Sequence, residues 1–206
     1  MQEDLKRRLQ VYNPAQPRVG AGRGEAAVLV PVTRGPEPNL IFTLRSMSLA
    51  THRGEVSFPG GHREPQDIDL VHTALRETEE EVGLPASKVE VLGRLGTLLS
   101  LHDVRVTPYV GLVPEAFDYR VDRVETAEVF SVPLEFFRQQ PERVTHRSDF
   151  TGRDWYITCY RFQEYKIWGL TAIMVVELVN LLFDAGISLH DQPDDSVIVS
   201  RRPDDL

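Results

Sequence analysis

The sequence predicts an α/β sandwich, a mixed β-sheet held between helices. Runs of alternating or β-branched apolar residues recur through most of the chain, and helical spacing of apolar residues occurs at its beginning, middle and end. No repeat, low-complexity stretch or linker divides them, so a single domain over residues 1–206 is expected. With 41% hydrophobic residues, 206 residues can bury a full core.

The elements follow in chain order. Residues Glu3 to Val11 have the spacing of a short amphipathic helix. The glycine run at 20–24 precedes a strand instead of following one, which argues against a dinucleotide fingerprint. Strands are expected over Ala26 to Thr33, Leu40 to Arg45, Val89 to Leu99, Arg105 to Val113 and Trp155 to Phe162. Another runs from Glu125 to Val132 and leads into a helix near Pro133 to Gln139. A last helix from about Leu170 to Ala185 carries Ile173, Val176, Leu178, Leu181 and Leu182, the pattern of a helix packed on a sheet. The tail from Asp191 to Leu206 is polar and acidic, with no readable motif.

The middle helix is the informative one. Leu70 or Val71, Ala74, Leu75, Thr78 and Val82 recur at spacings of three and four, Asp67 or Asp69 can cap its start, and Gly83 can end it in the left-handed conformation. Packing does not explain its acids. At about 100° per residue, Glu77, Glu80 and Glu81 share one face while Glu79 points away. Like charges at this spacing destabilise a helix, more so toward the negative end of its dipole. A cation relieves the conflict, and an all-oxygen ligand set favours Mg²⁺ or Mn²⁺ over a thiolate metal. Immediately upstream, Phe58-Pro59-Gly60-Gly61 reads as a loop that lets backbone groups approach a ligand closely.

Gly61, Arg76-Glu77, Glu80-Glu81 and Gly83 together resemble the Nudix box: Gly, five residues, Glu, seven residues, then Arg-Glu-apolar-x-Glu-Glu-x-Gly-apolar. The box spans residues 61–84. It departs from the pattern in holding Asp67 where the early Glu is expected, with eight residues before Arg76, and Thr78 at the inner apolar position. Residues 43–61, TLRSMSLATHRGEVSFPGG, are similar to the segment T-x-R-S-x-x-L-x-x-H-x-G-x-V-(S/A)-F-P-G-G that marks the coenzyme A pyrophosphatase branch of that family.

The resemblance implies a Nudix-type α/β/α sandwich and an enzyme that hydrolyses phosphoric anhydride bonds. The expected reaction splits the diphosphate of coenzyme A or a derivative into 3′,5′-ADP and 4′-phosphopantetheine, or its acyl form. The alternatives are another nucleoside diphosphate derivative, such as ADP-ribose or an oxidised nucleotide, and a non-catalytic Nudix-fold binding module. Metal ligation is expected of Glu77, Glu80 and Glu81, and catalytic roles of Glu77 and Glu80, with Arg76 holding the glutamates by a salt bridge. The general base is a box glutamate or a more distant acid, Glu128 or its neighbour Glu125. Arg45, which can grip phosphate, and Ser46, His52, Gly60 and Gly61 are expected at the substrate.

Composition bounds the partners. A net charge of −8 argues against a nucleic-acid binder, no apolar run reaches membrane-spanning length, and the N-terminus lacks a secretory core. The single cysteine, Cys159, precludes an internal disulfide and fits a reducing cytoplasm. A small-molecule, coenzyme A-type substrate is the expected partner, and a homodimer is compatible with the sequence.

Overall fold

The computed structural model describes residues 1–14, 24–48, 53–147, 154–189 and 198–200. In chain order the elements are α1 (Gln2–Val11), β1 (Gly24–Thr33), β2 (Asn39–Arg45), β3 (Val56–Ser57), β4 (Gly60–His62), α2 (Leu70–Val82), β5 (Glu90–Arg94), β6 (Leu98–Leu99), β7 (Val104–Val113), β8 (Thr126–Pro133), β9 (Glu142–Arg147), β10 (Asp154–Phe162), β11 (Tyr165–Trp168), α3 (Gly169–Phe183) and β12 (Ile198–Ser200). The expected α/β sandwich with a mixed sheet is observed.

The larger sheet runs β3-β2-β1-β7-β5, with β4 on β1, β6 on β7 and β8 on β2. Strands β1 and β7 pair in parallel over ten residues, from Gly24 opposite Val104 to Thr33 opposite Val113, while the other pairs are antiparallel. Period-two alternation along β2 sends Leu40 and Phe42 into a large core shared with α1, α3 and the second sheet. It sends Ile41 to the opposite face, against Val82 and Leu84 at the end of α2. The second sheet, β11-β10-β9-β12, closes over the large core through Tyr160, Tyr165 and Ile167.

Several expectations change. The strand expected from Val89 to Leu99 is broken at Leu95 to Thr97 into β5 and β6. The Gly96 N–H there donates to Glu177 of α3 at 2.6 Å instead of to a strand. The helix expected near Pro133 to Gln139 is a 3-10 turn over Leu134–Arg138, which buries Leu134 and Phe137 at its three-residue repeat. Strands β3, β4, β9, β11 and β12 were not expected. Most are only two to four residues long, too short to show a period of two, β9 is rich in charge, and β4 and β12 are held by pairing with distant segments.

Candidate active site

Helix α2 is built as its ends predict. Asp69 caps it by accepting from the His72 N–H at 2.8 Å, and Gly83 closes it at φ 70° with its N–H on the Glu79 carbonyl. Its buried side is Thr73, Ala74, Thr78, Glu81 and Val82. Leu75, expected in the stripe, is only partly buried, and an acid, Glu81, lies on the inner side instead.

Two charge clusters sit along this helix. At its first half, Asp67 has no exposed side-chain surface. Its carboxylate accepts from Arg76 Nε at 3.0 Å and Nη2 at 3.1 Å, from His72 Nδ1 and Thr73 Oγ1, and from the Glu64 N–H. The Arg76 guanidinium, followed by these other donors, holds that carboxyl well below the usual range despite burial. Arg76 in turn donates to Glu77 at 3.0 Å, Glu80 at 2.9 Å and the His62 carbonyl at 3.2 Å, tying the helix to β4.

The second cluster is unlike the first. The Glu81 carboxylate is 5% exposed, receives among the described residues only the Gly60 N–H at 3.3 Å, and lies 3.9 Å from Arg45 Nη1. Burial pushes its pKa up to about 8; Arg45 and the Gly60 N–H oppose the shift, and Glu77 and Glu125 add to it. Glu77 is raised too, first by burial and then by Glu80 and Glu125, with Arg76 pulling the other way. Arg45 Nε is itself buried, with no hydrogen-bond partner among the described residues.

The glycines make this cluster possible. A Cβ on Gly60 would meet the Ala27 carbonyl oxygen at 2.3 Å, so only glycine brings this N–H to Glu81. A Cβ on Gly61 would lie 2.6 Å from the Glu77 carboxyl group. The loop after β7 completes the wall. Its Asp122 and Arg120 N–H groups donate to the Glu81 and Val82 carbonyls, satisfying the end of α2, and it delivers Glu125.

The structure thus brings together Arg45, Gly60, Gly61, Arg76, Glu77, Glu81 and Glu125. Glu80 shares the helix face but extends outward to Arg76 and is 60% exposed. Among the described residues no three acidic, His or Cys side chains form a ready-made metal cage. The expected three-carboxylate grip is therefore not preformed: Arg76 draws Glu77 and Glu80 to itself, and Glu81 turns to Gly60. Ser46 is buried at the edge, donating its N–H to the Glu125 carbonyl and bonding its hydroxyl to Ser48, which gives it a structural task in this loop. His52 lies outside the described residues.

Glu128 does not reach the cluster. It pairs with Leu44, which faces the large core, and hydrogen-bonds Tyr165 of the second sheet. A register shift between Leu44 and Arg45 skips Ala127 and places Thr126 opposite Arg45. Glu125, just before β8, is the distant acid whose charge acts on Glu77 and Glu81.

The NUDIX domain family model matches residues 23–165, a span that contains both clusters. The chain belongs to the Nudix family. It is 39% identical over 178 residues to the uncharacterized Nudix hydrolase NudL of Photorhabdus laumondii, covering 85% of this chain and 94% of that protein. To the NudL of Yersinia enterocolitica it is 43% identical over 178 residues, covering 83% and 88%. Its fold is similar to that of a MutT/nudix family protein from Enterococcus faecalis, with a TM-score of 0.53 at 14% identity, covering 89% of this chain and 70% of that one. This Nudix protein is an enzyme, a hydrolase of the pyrophosphatase class, and Nudix hydrolases use divalent metal ions. No helix among the described residues is long and apolar enough to cross a membrane.

The residues fit such an ion. Buried, mutually repelling carboxylates are the donor set that a hard cation stabilises, and glycine backbone lies against two of them.

Proposed function

We propose that the enzyme hydrolyses the diphosphate bond of coenzyme A or its derivatives, giving 3′,5′-ADP and 4′-phosphopantetheine or its acyl form. The supporting observation is the meeting of the two motifs. Segment 43–61 brings Arg45 to 3.9 Å from Glu81 and the Gly60 N–H onto the same carboxylate, so the coenzyme A-type segment and the box helix share one site.

Glu77 and Glu81, with Glu80 swinging in from Arg76, would hold Mg²⁺ or Mn²⁺, joined by a carbonyl of Gly60 or Gly61. When bound, the ion neutralises diphosphate oxygens and acidifies water. Arg45 grips the diphosphate, its guanidinium exchanging the distant Glu81 contact for phosphate oxygens. Arg76, fixed by Asp67, positions Glu77 and Glu80. Glu125, at the exposed rim, accepts the proton of the attacking water. The water oxygen bonds to phosphorus, the bridging P–O bond breaks, and two phosphate monoesters leave. Glu128, on the other face of the sheet, takes no part. The buried thiol of Cys159 is in keeping with a reducing cytoplasm.

The test is a product assay with Mg²⁺ or Mn²⁺ on coenzyme A, ADP-ribose and nucleoside triphosphates, separated by chromatography. 3′,5′-ADP from coenzyme A is the expected product, and a clear preference for ADP-ribose overturns the assignment.

A further inference from the structure

Glu125, the proton acceptor of the proposed reaction, belongs to no helix or strand and stands on the stretch between β7 and β8. A reacting group misplaced by about 1 Å can cost on the order of 10²-fold in rate, so a loop acid needs something to hold it. Two sets of hydrogen bonds fix the backbone here, one from each side of the site. On the side of α2, the Asp122 N–H donates to the Glu81 carbonyl at 3.0 Å. Asp122 then turns the chain: its carboxylate accepts from the Val124 N–H at 2.9 Å, and its carbonyl accepts from the Glu125 and Thr126 N–H groups at 3.1 and 2.8 Å.

On the side of β2, the Ser46 N–H donates to the Glu125 carbonyl at 2.8 Å, and Ser48 Oγ donates to the Val124 carbonyl at 3.3 Å. The two serine hydroxyls bond each other at 2.8 Å, and the Ser46 hydroxyl also accepts from the Ser48 N–H at 3.3 Å, so Ser48 is held in its turn. Both N–H groups and both carbonyls of Val124 and Glu125 are thereby satisfied, as in a sheet, although neither residue lies in one. Buried Thr126 then enters β8 opposite Arg45. The bracket runs from Glu81 at the end of α2, through Asp122 and Glu125, to Arg45 at the end of β2. Two of its bonds come from exposed side chains, Ser48 and Asp122, and neither residue stands at a fixed position of the two sequence motifs.

We propose that Ser48 and Asp122 are positioning residues, which act through the Val124 and Glu125 backbone to hold the Glu125 carboxylate in reach of the attacking water. The proposal rests on Glu125 as the proton acceptor, and not on which diphosphate is split. Without the two side-chain bonds the loop keeps its backbone ties to Glu81 and to Ser46, so the fold and the substrate-gripping Arg45 stay in place. What is lost is the single position of the acid. A group that serves only the chemical step, held less well, lowers kcat and leaves KM nearly alone.

The experiment measures kcat and KM of the full-length protein with Mg²⁺, on the compound of the product assay that the wild type splits fastest. Ser48→Ala/Asp122→Ala should lower kcat about tenfold with KM within about twofold of wild type. Ser48→Thr/Asp122→Asn, which keeps a hydroxyl donor and an oxygen acceptor, should recover most of that loss. The deciding readout is a cycle with Glu125→Gln. In that background the same two alanines should lower kcat by less than about twofold, because no acceptor is left to position. Melting of each variant separates misplacement from unfolding, and Ser48→Ala alone carries the same cycle if the double variant melts below the assay temperature. Equal losses in the two backgrounds, or an alanine variant within about twofold of the wild-type kcat, overturn the bracket alone. A Glu125→Gln variant that keeps the wild-type kcat removes Glu125 as the acceptor, and the bracket with it.

Discussion

Asp67 and Glu81 are both buried carboxylates beside an arginine, at opposite ends of one helix, and they differ in every other respect. Asp67 receives five hydrogen bonds and is held ionised. Glu81 receives one among the described residues, its arginine stops at 3.9 Å, and burial pushes its pKa to about 8. The first is an anchor, complete without anything from outside. The second is a charge problem that the fold leaves unsolved, and such sites are where a ligand finds its binding energy. Glycine serves the second end too, since Gly60 and Gly61 admit backbone where side chains would clash.

The sharpest way to break the comparison is at the anchor. Asp67→Asn leaves the Arg76 guanidinium largely buried without the carboxylate that takes two of its five hydrogen bonds, which should cost about 3–5 kcal/mol. For a chain of this size that lowers the melting temperature by roughly 10 °C. Because Asp67 is depressed in the folded state, its stabilisation is present above its unfolded pKa of about 4 and is lost as pH falls below that. A calorimetric comparison at pH 7 checks the effect, and a variant that melts with wild type would show that Asp67 anchors nothing.

Substitution at the other end should spare the fold and remove the chemistry. Glu81→Gln is expected to lower kcat by roughly 10²- to 10³-fold. Turnover near the wild-type rate would remove Glu81 from the metal-binding set.

Its effect on stability runs opposite to that of Asp67. The Glu81 pKa is raised in the folded state, so stability present below about pH 4.5, the ordinary glutamate value, is lost progressively as pH rises toward the folded value of about 8. In EDTA, wild-type protein should lose roughly 2 kcal/mol across that window, and Glu81→Gln should not. Added Mg²⁺ should restore the wild type with release of protons. A wild-type profile that stays flat between those pH values would mean that Glu81 is not desolvated.

How much of this was legible in the sequence follows from the range of each cause. The carboxylate face of α2, a cap by Asp67 or Asp69 and the stop at Gly83 depend on local pitch or on motif, and the structure has them, with Asp69 as the cap. The choice Arg76 makes among its acids depends on three-dimensional neighbours. Helical projection put Glu80 beside Glu77 and Glu81, and Arg76 pulled it outward. Asp67 stood at the early acid position with its role undecided, because nothing local shows that it will be buried under Arg76, His72 and Thr73. Strand β4 was hidden for a related reason: a glycine pair carries no strand preference, and its pairing with Ala26 to Val28 is tertiary. The fully buried face of β1 and the apolar α3 showed through because burial on such a scale needs apolar composition.

The smallest predicted effect separates Glu125 from Glu128, three residues apart and equally acidic. The sequence offers both, with Glu128 the expected catalytic acid, since a strand-end acid at either position could reach toward the metal site. Pairing decides between them. Glu128 lies opposite Leu44 in the regular part of the β2–β8 ladder, which sends it to the large-core face beside Tyr165, and the register slips by one residue only beyond it, opposite Arg45. Glu125 precedes the strand, on the loop that caps α2, and its charge bears on both Glu77 and Glu81. Glu125→Gln should therefore lower kcat by about 10²-fold with little change in KM, as removal of a proton acceptor does. Glu128→Gln should stay within about twofold in kcat and lose on the order of 1 kcal/mol of stability as the Tyr165 bond weakens. Steady-state kinetics and melting on the two variants separate the roles, and a larger kcat loss in Glu128→Gln would place the acceptor on the wrong face of the sheet and reverse the assignment.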